Sequence, residues 1–206
     1  DRFRAARDLV KREPLFLMGY PGTHDYDEVR SDRPYLCLSG SSAVGRSGRD
    51  AKRQYAKLGS ALGSLGLPVV LVETCLWDGF LREAGRLAGL PVVAHSAPVV
   101  GMGGFLAGAE VYITGRYHPA IMASAGGVPC VFLGSNSHKT RSVQTLLGYP
   151  EIREYSSCPD DDEITRIVHH VEDLLSSDSA AQARDNIIHR VDDLSLRAYR
   201  YAEIVR

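Results

Sequence analysis

The chain has 206 residues, of which 44% are hydrophobic and 24% are charged, proportions that are typical of one or two folded domains. Its 24 basic side chains nearly balance its 25 acidic ones, and the net charge of -1 excludes the broad attraction that non-specific nucleic-acid binding requires. No segment reaches the roughly 18 consecutive apolar residues of a membrane helix. We therefore expect a folded protein with no membrane span and no nucleic-acid partner.

The chain opens within an amphipathic pattern and without an initiating Met, so we interpret it as a piece of a longer protein. Residues 1–33 begin with a short helical pattern and continue with a stretch that is rich in glycine, proline and acidic residues. Such a stretch, without sustained periodicity, is typical of a connecting loop. We predict that residues 1–33 are the remnant of a preceding domain followed by a linker.

Residues 34–175 alternate short apolar runs with helical stretches. The runs lack polar alternation, which is typical of strands buried on both faces of a sheet. These runs are residues 35–38, 68–72, 91–94, 111–114 and 129–133. The helical stretches are residues 50–65, 77–88, 103–109, 118–127, 137–147 and 161–175. The alternation predicts an α/β fold, a Rossmann-like parallel sheet with helices on both faces, and residues 176–206 are predicted as closing carboxyl-terminal helices.

The four cysteines form no Cys-x-x-Cys pair, and two of them, Cys37 and Cys130, fall within these apolar runs. The pattern therefore indicates neither a zinc site nor a disulfide framework. We expect no metal, no other cofactor and a reducing, cytoplasmic location.

In an open parallel sheet the ligand binds at the carboxyl ends of the strands, and this rule selects three loops. The loop after the first strand contains Ser39, Gly40, Ser41 and Arg46. Glycines permit close approach of the backbone, serines donate hydrogen bonds and arginine forms paired bonds, so these residues are candidates to bind an anion. Whether Arg46 or Arg49 contacts the ligand stays open. The alternative is a flexible surface loop with solvated arginines.

The loop after the fourth strand contains Arg116, Tyr117, His118 and Pro119. Pro119 suits the first position of a helix, so we predict that His118 is the N-cap residue, beside free backbone N–H groups. Arg116 stays charged and can pair with a phosphate, while an imidazole can transfer a proton near neutral pH. We predict an anion site with a titratable group beside it. The alternative is a structural ion pair of Arg116, with His118 as a neutral cap.

The loop after the fifth strand contains Ser137, the predicted N-cap residue of the next helix, followed by His138, Lys139 and Arg141. Basic residues in a first helical turn oppose the helix dipole, at a cost of a few tenths of a kcal/mol each. A bound anion would reverse the sign of that interaction. Because local rule violations tend to mark functional sites, we predict that Lys139 binds an anion. The alternative is a solvated cluster of charges.

Residues 110–148 closely resemble the polysaccharide pyruvyl transferase family. The shared pattern is a strand that ends in Arg116-x-His118, a helix of small residues, Gly-Val-Pro at residues 127–129 with an apolar strand, and Lys139 at the start of the next helix. Tyr117 replaces the more usual Leu of the family. The order of elements resembles the family over roughly residues 34–175.

This resemblance implies the carboxyl-terminal domain of a glycosyltransferase B fold (GT-B). In the family an amino-terminal domain faces this domain across a cleft and helps to bind the acceptor, and these residues do not include it. The implied reaction transfers the enolpyruvyl unit of phosphoenolpyruvate to two hydroxyls of a sugar or glycan, which forms a cyclic pyruvate ketal and releases phosphate. The acceptor sugar and the oligomeric state stay open.

The resemblance and the three loops together define the predicted site. Its catalytic residues are His118, as the proton donor to the enol carbon, and Arg116. The residues predicted to bind the donor are Ser39, Gly40, Ser41, Arg46, Arg116, Tyr117, His118, Ser137, His138 and Lys139.

Two other interpretations stay open. The first is a glycosyltransferase or sugar epimerase of the same fold, whose nucleotide sugar would place its diphosphate in the same loops. The sequence shows no obvious acidic residue to bind ribose hydroxyls, although Glu110 and Glu151 stay candidates. The second is a non-catalytic domain that binds an anion or a sugar.

Overall fold

The computed structural model describes residues 34–44, 50–97 and 99–204 of the chain. The predicted domain remnant and linker at residues 1–33 lie outside the described residues, as do Arg46 and Arg49. The strands are β1 (Leu36–Ser41), β2 (Val69–Val72), β3 (Val92–Val93), β4 (Val111–Gly115) and β5 (Cys130–Phe132). The helices are α1 (Ala51–Gly63), α2 (Phe80–Ala88), α3 (Val99–Ala107), α4 (Tyr117–Ser124), α5 (Lys139–Leu147), α6 (Asp161–Leu175) and α7 (Ser177–Ile204). A short 3-10 helix, Leu76–Asp78, precedes α2.

The five strands form one sheet in the order β3-β2-β1-β4-β5, and every pairing between neighbours is parallel. Leu36 of β1 is in register with Val69 of β2 on one side and with Val111 of β4 on the other. The chain moves outward from β1 to β3, crosses to the other side of β1 with β4, and then moves outward again to β5. The predicted α/β fold with a parallel sheet is confirmed.

Helices cover both faces of the sheet. One face packs against α1, α2 and α6, and the other packs against α3, α4, α5 and α7. Successive residues of β1 alternate between the two, since Leu36 and Leu38 join the first apolar cluster while Cys37 joins the second. All three are fully buried. Burial on both faces explains why the strands read as apolar runs without polar alternation.

The predicted N-cap residue of α4 is wrong by two positions. Arg116 has an extended backbone (φ −112°, ψ 128°) and is the N-cap residue, so α4 begins at Tyr117 and His118 lies inside its first turn. Pro119 is the third helical residue instead of the first. Proline is tolerated there because the first backbone N–H groups of a helix have no partner within the helix.

The predicted N-cap residue of α5 is also wrong. The helix begins at Lys139 after His138, whose backbone is already near helical values (φ −69°, ψ −2°) and whose side chain makes no capping bond. The carbonyl of Ser137 accepts a 2.7 Å hydrogen bond from the hydroxyl of Ser135, and Thr140 in the first turn also donates to that hydroxyl at 3.2 Å. Ser135 therefore organises this turn.

The last helix packs back onto the sheet domain. Ile187 of α7 is buried in the same apolar cluster as Val143 and Leu147 of α5. Arg184 of α7 donates to the Glu110 carboxylate at 2.6 Å, at the start of β4. Among the residues that the structure describes, no helix is long and apolar enough to cross a membrane.

Candidate functional site

A pocket of about 360 Å³ opens at the carboxyl edge of the sheet. It lies where the strand order reverses, because the chain leaves β1 toward β2 on one side and leaves β4 toward β5 on the other. The diverging loops at such a switch point leave a crevice, which is where open α/β sheets bind ligands. Every strand contributes a lining residue through the loop that follows it, and examples in chain order are Ser42, Glu73, His95, Arg116 and Lys139.

Arg116 lines the pocket and also forms an ion pair with Asp78. Its Nη2 donates to Oδ1 of Asp78, a carboxylate with no solvent exposure, while the Arg116 side chain is 15% exposed. The backbone N–H and the hydroxyl of Thr74 donate to the other carboxylate oxygen at 3.0 and 2.8 Å. Arg116 can therefore form the structural ion pair and still face the pocket, because Asp78 binds only one end of a guanidinium that has five N–H donors.

Two further contacts define how Arg116 is held. Its backbone N–H donates to the hydroxyl of Thr114 at 3.0 Å, which fixes the chain between β4 and α4. Its Nε is buried and, within the described residues, has no hydrogen-bond partner. An unsatisfied buried donor costs about 1–3 kcal/mol, so this side chain is not fully satisfied in the ligand-free protein.

Tyr117, in the first turn of α4, is a common neighbour of His118 and Lys139. His118 is exposed at the pocket, and its ring packs edge-on against the Tyr117 ring with centroids 4.9 Å apart. Lys139 lies at the start of α5, and its Nζ is 5.8 Å from the centroid of the same Tyr117 ring. The Tyr117 ring is therefore a neighbour both of the histidine in the first turn of α4 and of the cation at the start of α5. Of the other predicted residues here, Ser137 lines the pocket, whereas His138 is exposed and does not.

The hydroxyls of Ser39 and Ser41 bond within the sheet and its loops, because β1 continues to Ser41 beyond its predicted end at residue 38. Ser39 is fully buried, and its hydroxyl lies 2.6 Å from the Thr114 hydroxyl and accepts from Tyr112 at 2.7 Å. The hydroxyl of Ser41 donates to the carbonyl of Gly134. Neither serine lines the pocket.

Gly40 lies beside the Arg116 pair. A Cβ built on it would collide with the Asp78 carboxylate and would lie 3.2 Å from the Phe80 ring. Glycine at this position therefore allows the carboxylate to approach β1 and reach the arginine. Among the described residues of the loop after β1, Ser42 lines the pocket, and its hydroxyl is 3.0 Å from the Asn136 side-chain oxygen.

The sequence prediction missed a second polar cluster in the pocket, which consists of Glu73, Arg82 and His95. Glu73 follows β2 and has no solvent exposure. Arg82 of α2 donates to Oε1 at 2.5 Å through Nε and to Oε2 at 2.9 Å through Nη2. His95 follows β3, and its Nδ1 lies 3.2 Å from Oε2 while its backbone N–H donates to the same atom at 3.4 Å.

Burial by itself raises the pKa of the Glu73 carboxyl, but the hydrogen bonds from Arg82 and His95 and the charge of Arg82 outweigh it, so the pKa is lowered overall. Glu73 is therefore a carboxylate at neutral pH. The rule that selected the loops after β1, β4 and β5 applies equally to β2 and β3, and it would have identified both Glu73 and His95.

The arrangement suits a compact anion with a proton donor beside it. Two cations, Arg116 and Lys139, reach the pocket near the N-terminus of α4, where unpaired N–H groups add a partial positive charge. Glu73 is the one carboxylate among the described lining residues, and the Arg82 guanidinium balances its charge. The described residues contain no group of three His, Cys, Asp or Glu side chains that could hold a metal ion.

Residues 63–137 match the family model described as polysaccharide pyruvyl transferase. The match spans β2 to β5 and includes the Arg116-x-His118 motif, and Lys139 lies just beyond its end. It confirms the family resemblance inferred from the sequence. No curated protein matches the chain at a significant level.

Solved structures of glycosyltransferases share the fold. A glycosyltransferase from Rickettsia africae ESF-5 is 14% identical, with a TM-score of 0.50, over 84% of this chain and 47% of its own. WaaG, a glycosyltransferase involved in lipopolysaccharide biosynthesis, is 12% identical, with a TM-score of 0.50, over 91% of this chain and 46% of its own. A family 9 glycosyl transferase from Veillonella parvula DSM 2008 is 12% identical, with a TM-score of 0.50, over 86% of this chain and 52% of its own.

The chain thus spans about half the length of these three structures. At such low identities the likeness shows the fold alone. The predicted relation to a domain of the GT-B fold is confirmed.

Proposed function

We propose that this chain provides the donor site of a pyruvyl transferase, which moves the enolpyruvyl unit of phosphoenolpyruvate onto two hydroxyls of a sugar or glycan and releases phosphate. The family match over residues 63–137 supports the reaction class. The observation that carries the proposal is the convergence of Arg116, His118 and Lys139 on one pocket, with the Lys139 ammonium 5.8 Å from the Tyr117 ring.

Phosphoenolpyruvate carries a phosphate and a carboxylate on a very small carbon skeleton, so its site needs several cationic and N–H donors in a small volume. Lys139 supplies one charge to the pocket, and the N-terminus of α4 supplies free backbone N–H groups. Arg116 supplies the remaining N–H donors of its guanidinium while Asp78 holds one end of it. An arginine fixed in this way loses little side-chain entropy when the donor binds.

The chemistry also needs an acid. Protonation of the enol carbon C3 makes C2 an oxocarbenium-like centre that a first sugar hydroxyl attacks. After the phosphate departs, the second hydroxyl attacks C2 and completes the ketal. His118 lies in the first turn of α4 and lines the same pocket as Arg116 and Lys139. We assign it the role of general acid, which typically contributes about 10² to 10⁴ in rate.

The hydrogen bonds that Glu73 already accepts argue against an enzyme that uses a nucleotide sugar. An acidic residue after the second strand of such a sheet commonly binds ribose hydroxyls. Here Oε1 of Glu73 already accepts from Arg82, and Oε2 already accepts from Arg82 and from two groups of His95. A ribose would have to displace these bonds.

Thermal melting with a panel of ligands tests the proposal. At a hundred times its Kd a ligand stabilises the native state by about 2.7 kcal/mol, which raises the melting temperature measurably. We expect a shift with phosphoenolpyruvate and smaller shifts with inorganic phosphate or pyruvate, each of which carries one of its two anionic groups. A shift with a nucleoside diphosphate sugar and none with phosphoenolpyruvate would contradict the proposal and favour a glycosyltransferase or an epimerase.

A further inference from the structure

A second histidine, His95, lines the same pocket from the loop after β3. Its side chain is 25% exposed, and its Nδ1 lies 3.2 Å from Oε2 of the fully buried Glu73. Arg82 holds Glu73 through both carboxylate oxygens, so the carboxylate cannot turn away from the ring. Among the described residues, two histidines line the pocket: His95 contacts a buried carboxylate, and His118 is exposed on α4.

The reaction proposed above, on which this inference rests, needs two proton-transfer groups in its first step. As a sugar hydroxyl attacks C2, the C2–O bond forms, the hydroxyl O–H bond breaks, and C3 takes up a proton. One group must release a proton while another receives one. A single histidine cannot do both at once, since it is a base only in the protonation state in which it is not an acid.

We propose that His95 is the general base that receives the proton of the attacking hydroxyl, and that Glu73 positions its ring. His118 gives its proton to C3 in the same step and becomes neutral, while His95 becomes an imidazolium. When the C2–O bond to phosphate then breaks, the proton on His95 passes to the departing phosphate. The second hydroxyl attacks C2, and its proton restores His118. The two hydroxyl protons thus end on C3 and on phosphate, and both histidines return to their starting states.

The contacts of His95 indicate which of its two ring nitrogens acts as the base. A carboxylate oxygen only accepts hydrogen bonds, so the Nδ1 beside Glu73 carries the hydrogen and Nε2 keeps its lone pair. Within the part of the chain that the structure describes, Nε2 has no hydrogen-bond partner. The same carboxylate stabilises the imidazolium that forms when Nε2 accepts a proton, as the buried aspartate does in a Ser-His-Asp triad.

The other charged groups near His95 do not replace it as a base. Arg82 of α2 donates to both oxygens of Glu73, and its charge is balanced by that carboxylate. Arg116 and Lys139, from the starts of α4 and α5, line the pocket as the side chains of its two anion-binding cations. Glu73 is fully buried and already bonded on both oxygens.

The test measures phosphate release from phosphoenolpyruvate with the methyl glycosides of galactose, mannose and glucose as acceptors. In His95→Asn the side-chain amide can still donate to Glu73, so folding is preserved, but the base is removed. We expect kcat to fall by about 10² to 10⁴, with the stabilisation by phosphoenolpyruvate unchanged. The matched control is His169→Asn, since His169 is an exposed histidine on α6, 71% exposed, whose replacement should leave kcat unchanged.

Chemical rescue separates a base from a structural histidine. In His95→Ala, added imidazole should restore part of the lost rate in proportion to its concentration, and the acidic limb of the wild-type pH profile should be absent without imidazole. Glu73→Gln should lower kcat but should not respond to imidazole, because the ring is still present and only its orientation is lost.

A kcat of His95→Asn within roughly threefold of wild type would overturn the inference and leave the proposed function standing. Because the amino-terminal domain of the family helps to bind the acceptor, these assays use the full-length protein. A full-length wild type that neither binds phosphoenolpyruvate nor releases phosphate from it would contradict the proposed function and, with it, this inference.

Discussion

Two arginine–carboxylate pairs lie side by side at the carboxyl edge of the sheet, and they present opposite partners to the pocket. In the pair of Asp78 and Arg116 the carboxylate is fully buried and the arginine lines the pocket. In the pair of Glu73 and Arg82 the arginine is 38% exposed outside the pocket, and the carboxylate lines it together with His95. The first arrangement offers a cation to an anionic donor, and the second offers a histidine that an anion orients. The same ion-pair chemistry therefore supports binding in one place and proton transfer in the other.

The largest effect is expected for Asp78→Asn. Breaking a buried ion pair leaves an uncompensated charge and costs about 3–5 kcal/mol of unfolding free energy. Denaturant unfolding measures it, with Asp193→Asn as the control, because the exposed pair of Asp193 and Arg197 on α7 contributes only about 0.5 kcal/mol. Equal losses in the two variants would contradict a structural role for the Asp78 pair.

Replacing Arg116 and replacing Arg82 should have different effects on the affinity for phosphoenolpyruvate. Arg116→Ala removes charged hydrogen bonds to the donor and should weaken binding of phosphoenolpyruvate by about 1.5–3 kcal/mol. Arg82→Ala should weaken binding less than Arg116→Ala does, because Arg82 is not among the described lining residues and acts on the donor only by balancing the charge of Glu73. Calorimetric titration of both variants decides the matter, and an unchanged affinity in folded Arg116→Ala would remove Arg116 from the site.

The ion pair of Glu73 and Arg82 should make the unfolding free energy depend on pH. Because the folded-state pKa of Glu73 lies below its ordinary value of 4.5, its carboxylate stabilises the folded protein fully above about pH 4.5. That contribution is lost as the pH falls through the folded-state pKa. At neutral pH we expect Glu73→Gln to be less stable than wild type by about 1–2 kcal/mol, less than Asp78→Asn because Arg82 can be solvated. The difference in unfolding free energy between Glu73→Gln and wild type should become smaller below about pH 4.5. A difference that does not change with pH would contradict the ion pair.

The smallest effect on stability is expected for Lys139→Glu. A carboxylate in the first turn of α5 gains a few tenths of a kcal/mol from the helix dipole, while the contact of the ammonium with the Tyr117 ring, worth about 0.5–1 kcal/mol, is lost. The ligand-free melting temperature should therefore change little. Stabilisation by phosphoenolpyruvate should be largely lost, because the new carboxylate repels the donor. A variant that melts lower yet is fully stabilised by the donor would show that Lys139 is structural.

The sheet could be predicted from the sequence because burial on both faces leaves a local signature, a run of apolar residues such as Val69–Val72. The extension of β1 through Ser39, Gly40 and Ser41 could not be predicted in the same way. These residues favour loops by themselves, and their hydroxyls are satisfied by Thr114 and Gly134, which are distant in the chain.

The site shows the same division. Arg116, His118 and Lys139 lie within a short stretch of the chain, so their pattern could be recognised from the sequence. The pairing of Arg116 with Asp78 depends on the neighbouring positions of β2 and β4 on either side of β1, which no local pattern reveals. Glu73 was missed for a different reason. An acidic residue at the end of an apolar run is a visible signal, and the carboxyl-edge rule would have selected it if it had been applied to the loop after β2 as well.

The most direct test of the central claim is a carbon NMR spectrum of the protein incubated with phosphoenolpyruvate labelled at C2 and with the methyl glycosides of galactose, mannose and glucose. The proposed function predicts that the enol carbon signal is replaced by that of a quaternary ketal carbon, with one inorganic phosphate released for each ketal formed. Unchanged phosphoenolpyruvate, together with consumption of a nucleoside diphosphate sugar by the same protein, would contradict pyruvyl transfer and assign the pocket to a glycosyltransferase.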